Sequence, residues 1–94
     1  MGDLAQFVTE IKAVPGIRNH LFDEHFLDHA GTLIENRGFD EAKLYIWDSH
    51  HNKKLEKQSI FMLSIIGEME KLEIFQENRT LAGYLVRNIH KLVD

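Results

Sequence analysis

Between Phe22 and Ala30 the chain reads FDEHFLDHA, with His25 and His29 four residues apart and Glu24 and Asp28 interleaved at the same spacing. On a helix, positions four apart share a face, so each pair is able to act as a unit. Two neutral imidazoles at this spacing suit a zinc or iron ion, provided that a facing helix supplies further ligands. Asp48 and His51, three apart near the end of a later helix, would complete the set His25, His29, Asp48 and His51, with His50 and His90 in reserve. Helical di-iron carboxylate sites need a Glu followed three residues later by a His, and the chain has no such pair. It also lacks the run of paired histidines of a hemerythrin-like centre. The expectation is therefore a helix edge with no bound cofactor, the histidines stacking on Phe rings or pairing with nearby acids. The four-residue metal set is the alternative.

Two other chemistries suit individual residues. His51 with Lys54 one turn later has the form of a phosphotransfer histidine beside a neutralising cation, but Leu55 stands where such sites place a glycine. Arg18 and His25 have the spacing of a helical RNA-cleaving pair, the His as general acid or base and the Arg as phosphate clamp. A Gly-rich phosphate loop, a serine elbow and a His-Glu-x-x-His motif are all absent. The expectation is a protein that is not an enzyme.

Composition narrows the field further. The 94 residues suit one domain spanning 1–94, because a chain of this size buries only roughly 60–65% of its unfolded surface. There is no cysteine, which removes disulfides, thiolate metal sites and cysteine nucleophiles. Eleven basic against fifteen acidic residues give a net charge of −4, the wrong sign for general phosphate-backbone binding. Its one basic cluster, HHNKKLEK from His50 to Lys57, is short and holds its own acid. The longest apolar run, IFMLSII, is too short to cross a bilayer, and MGDLAQFVTEI lacks the basic start of a secretory signal. These features point to a cytoplasmic protein.

The elements that must position these residues read as helices. VPG at Val14 to Gly16 makes the clearest break. Before it, Asp3 caps a helix over about 4–13 with Leu4, Phe7, Val8 and Ile11 on one face. After it, Arg18 to Asn36 carries Phe22, Phe26, Ala30 and Leu33 at helical spacing and Gly38 as a stop. Asp40 caps a third helix to about His50, with Phe39 and Leu44 placed as a hydrophobic staple. Its LYIW core also suits a strand over 43–47, which would make a small α+β domain instead. A long, broadly apolar helix follows over about 53–75, and Thr80 caps a last helix with Leu81, Leu85, Ile89 and Leu92 on its apolar face. The expected fold is all-α, a single irregular bundle of four to five helices.

The segment from Phe26 to Ser49, with ENRGFDEAKLY at its turn, resembles a single tetratricopeptide repeat. Phe26, Ala30, Leu33, Phe39, Ala42, Ile46 and Ser49 fall where that family places its large and small packing residues. The resemblance implies a helical hairpin.

For function, these features favour a small interaction module: an adaptor, an inhibitor or immunity-type protein, or a regulatory subunit. A histidine-based metal or phosphotransfer protein is the alternative, and a small helical nucleic-acid regulator stands behind it. Tyr45 and Trp47 are the aromatic candidates for a binding surface. Glu68, Glu70, Glu73 and Glu77 form an acidic face suited to a basic partner. The apolar breadth of helix 53–75 suggests that it pairs with a second copy in a homodimer or with a partner helix.

Overall fold

The computed structural model describes residues 2–94, and among these there are seven α-helices, one 3-10 turn and no strand. The order is α1 Gly2–Lys12, the 3-10 turn Ile17–Asn19, α2 Glu24–Arg37, α3 Phe39–Ser49, α4 Glu56–Glu70, α5 Glu73–Glu77, α6 Arg79–Arg87 and α7 Ile89–Leu92. The all-α expectation stands. LYIW lies wholly inside α3, which overturns the strand alternative: Ala42 and Ile46, four apart, are its buried residues, a helical and not an alternating pattern.

The count exceeds four to five helices because two long helices are each broken once. The helix expected over 53–75 starts later and divides. Asn52 accepts from the Lys54 amide at 3.0 Å and holds 50–55 in turns, so α4 begins at Glu56. At its other end, the Gln76 side chain donates to the Glu70 carbonyl and Leu72 is extended. The chain thereby swings Phe75 against Phe7, ring centroids 4.9 Å apart. The last helix divides at Asn88, whose Nδ2 donates to the Tyr84 carbonyl at 2.8 Å in competition with the helical backbone.

Several helix starts also move. Asn78, not Thr80, caps α6, its Oδ1 accepting from the Leu81 amide at 3.0 Å. Asp23 caps α2 by accepting from the Phe26 amide at 3.1 Å, so Arg18 and Asn19 fall in the preceding 3-10 turn and not in the helix. Asp3 and Asp40 lie within the first turns of α1 and α3 instead of capping them. Leu44 is exposed, so it forms no staple with Phe39.

One core joins all the layers, with Phe7, Leu27, Ile46, Met62, Met69 and Phe75 essentially free of solvent. The shortest dimension, 18 Å, matches two layers of helices packed roughly 8–10 Å apart. Each outer helix therefore keeps a solvent face. α2 and α3 fold back on one another at Gly38, whose φ of 104° lies in the left-handed region open to glycine. α2 also runs closely against α6, and α3 packs on α4.

Candidate interaction face

Helix α3 sorts its side chains into three directions. Ala42 and Ile46 enter the core. Lys43 turns toward α4, its Nζ 2.9 Å from a Glu70 carboxylate oxygen, and this bond holds the ammonium above its ordinary pKa. Tyr45 turns toward α2, its ring centroid 4.3 Å from that of His29 and 5.6 Å from that of Phe26. Burial lifts its phenol above the usual value.

What remains on the outward side is Leu44 and Trp47, one turn apart and 60% and 58% exposed. Asp40, Glu41 and Asp48 are also exposed on this helix. Lys43, the one basic residue of α3, is engaged with Glu70. Trp47 stacks on His50, centroids 5.7 Å apart and planes 12° from parallel, which narrows the freedom of the indole. The result is an exposed apolar pair bordered on the same helix by Asp40, Glu41 and Asp48. Such a face can cover a small apolar anchor while the carboxylates receive cations.

The remaining sequence candidates divide. Trp47 belongs to this face, whereas Tyr45, its neighbour but one, is half-buried in the α2 seam. Glu70 is engaged with Lys43, and Glu68 lies 3.2 Å from Lys71. Glu73 and Glu77 are exposed on α5. The four acids thus divide between the end of α4, where Glu68 and Glu70 are ion-paired, and the short α5. The apolar breadth of the 53–75 region is largely taken up inside the chain: Phe61, Met62, Ile65, Ile66, Met69 and Phe75 are buried, leaving Ile60 as the large exposed apolar side chain of α4.

FDEHFLDHA also divides by direction. Glu24 approaches His90 of α7 at 3.6 Å and Asp28 approaches Arg87 of α6 at 4.0 Å, so both acids border the α6–α7 seam. His29 lies over Tyr45 on the α3 side, and His25 is exposed. Asp48 lies in the last turn of α3, and His51 sits in the turn beyond the helix, 6.2 Å between ring centroids from His50. Among the described residues no three His, Asp or Glu side chains are placed to share a metal ion. The set His25, His29, Asp48 and His51 is not brought together. His51 lies off the helix that a phosphotransfer site would need, and Arg18 and His25 lie on different elements.

Two constellations lay outside the sequence reading. Glu35 and Arg87 form a two-pronged ion pair, both N–O distances 2.8 Å, across 52 residues of sequence, with no local pattern to betray it. Arg37 and Arg79 line one cleft at the α2–α3 turn. An exposed Leu44 was detectable in principle, because it falls outside the Ala42/Ile46 stripe.

No protein-family model matches the chain, and neither a curated protein nor a solved structure is significantly similar to it. Among the described residues no helix is long and apolar enough to cross a membrane.

Proposed function

We propose that the chain is a small non-enzymatic interaction module whose outer α3 face receives a basic amphipathic helix of a partner protein. The observation that carries this reading is the exposure of Leu44 and Trp47 side by side between Asp40, Glu41 and Asp48. Leucine and tryptophan at helical spacing fit the anchor residues of an amphipathic partner. The acidic border, on a chain of net charge −4, selects a partner with lysine or arginine flanking its apolar stripe. Leu44 stands one turn before Trp47, so a partner crossing this helix meets both at once. A second copy of the chain is a poorer fit, since the same acidic border would face itself.

Selection from a random peptide display library tests this. The wild-type protein is the bait, and a Leu44→Glu/Trp47→Ala variant is the counter-selection bait. The expected winners carry apolar residues three or four apart flanked by Lys or Arg, bind wild type, and lose binding to the variant and at high salt. Winners that bind the variant equally, or that share no basic amphipathic pattern, overturn the reading.

A further inference from the structure

A different surface carries a small-ligand site. The α2–α3 turn faces the start of α6 across a cleft of ≈ 330 Å³ bordered by Arg37, Phe39, Asp40, Glu70, Gln76 and Arg79. Gly38 forms part of its wall, and a Cβ at that position would lie 3.1 Å from the Arg79 guanidinium. The absence of a side chain there lets Arg79 lie against the turn that ends at Arg37's neighbour. Two arginines 42 apart in sequence thus line one opening.

Both carboxylates of the cleft face the Lys43 ammonium. Glu70 is committed to Lys43 at 2.9 Å, and Asp40 lies 3.6 Å from the same ammonium. Gln76 donates from its side-chain amide to the Glu70 carbonyl. Among the described residues neither Arg37 nor Arg79 lies within ion-pair distance of an acid, whereas Arg87 and Lys43, at comparable helix seams, are both paired. The lining itself holds two arginines and two carboxylates, and Lys43, from outside the lining, engages Glu70.

We infer that this cleft binds a small phosphate monoester, its dianionic phosphoryl group held between the Arg37 and Arg79 guanidiniums and its organic part against the Phe39 side of the cleft. Guanidinium presents planar paired donors that match phosphate oxygens, and two of them balance a dianion. The volume lies at the lower end of small-molecule pockets, enough for a phosphoryl group and a small ring or sugar. The site uses neither Leu44 nor Trp47, and it shares only Asp40 with the α3 outer face.

The experiment is a two-dimensional amide NMR titration of the intact chain with phenyl phosphate, against sodium chloride at matched ionic strength. The expected result is a saturable shift of the Gly38 and Phe39 amides with the Trp47 indole signal unmoved. Arg37→Gln and Arg79→Gln should each weaken the apparent Kd about tenfold, roughly the loss of one charged hydrogen-bonding group. Both positions are exposed, and retained amide dispersion will show that each variant is folded. The Arg37→Lys/Arg79→Lys variant keeps the charge and loses the planar donors, so it should bind several-fold more weakly than wild type. Shifts reproduced by chloride, a shift that never saturates in the millimolar range, glutamine variants that bind like wild type, or a lysine variant of unchanged affinity would each overturn the inference.

Discussion

Gly31 and Gly83 face each other where α2 crosses α6, so closely that a Cβ on either would lie 2.6 Å from the other's carbonyl oxygen. A Cβ on Gly31 would also meet the Arg87 side chain at 2.6 Å, and one on Gly83 the Glu35 side chain at 2.5 Å. Backbone cannot yield as a flexible side chain can, so Gly31→Ala or Gly83→Ala must push the helices apart. The expected loss is about 1–3 kcal/mol in urea unfolding, even after the gain in helix propensity of roughly 1 kcal/mol. Gly67 in α4 is the internal control. A Cβ there meets nothing within 4 Å, so Gly67→Ala should stabilise by about 0.5–1 kcal/mol.

Glu35 and Arg87 clasp the same crossing, with side chains only 21% and 25% exposed. The bonds from Arg87 hold the Glu35 carboxyl below its usual pKa. A carboxylate with a depressed folded pKa contributes stability that is present above the unfolded pKa of about 4.5 and fades as the pH falls toward the folded value. Glu35→Gln should cost about 1–3 kcal/mol at neutral pH. The gap between variant and wild type should narrow below about pH 4.5, and urea unfolding across pH 3 to 7 reads both effects.

His20 gives the opposite arrangement, a base that folding keeps neutral. Its ring meets Phe22 at 4.8 Å and Phe61 at 5.0 Å, and its Nε2 is buried without a partner. Burial first, and then the charge of Lys57, hold its pKa below the ordinary 6.5. As pH falls through that value the unfolded chain takes up a proton that the folded chain resists, so stability declines until the folded pKa is reached and then levels off. Above about pH 6.5 the residue contributes no slope. His20→Leu should remove this decline, measured as the difference between the two stability curves from pH 7.5 to 4.5.

The exposed pair on α3 should be nearly neutral for folding. Leu44→Ala and Trp47→Ala leave no cavity, so each should change unfolding free energy by no more than about 0.5 kcal/mol. Thermal unfolding by circular dichroism checks this, and a large loss would assign Trp47 to the core.

The helical class was legible from apolar spacing, because Phe26, Ala30, Ile65, Ile66 and Met69 recur at threes and fours and are buried. The helix breaks were not. Asn88 and Gln76 act through side-chain bonds to carbonyls four and six residues earlier, which a periodicity reading does not register. Gly31 inside a helical pattern was a visible sign of close backbone approach, but its partner Gly83 lies 52 residues away and only the fold unites them. The same holds for the interaction face. Trp47 could be singled out by type, whereas its partner Leu44 had been assigned to a staple, and Tyr45 turned inward because α2 packs on that side.

Trp47 is the one tryptophan in the chain, so its fluorescence reports on the α3 face without a label. The most direct test of the interaction reading is a titration of the intact protein with an amphipathic helical peptide of Leu and Lys, which has no fluorescence of its own, and with a Leu/Glu peptide of the same pattern. A saturable blue shift is expected with the Leu/Lys peptide, weakened by salt and by Leu44→Glu, and none with the Leu/Glu peptide. An indole that does not shift with the Leu/Lys peptide, or that responds equally to both peptides, would contradict the interaction reading.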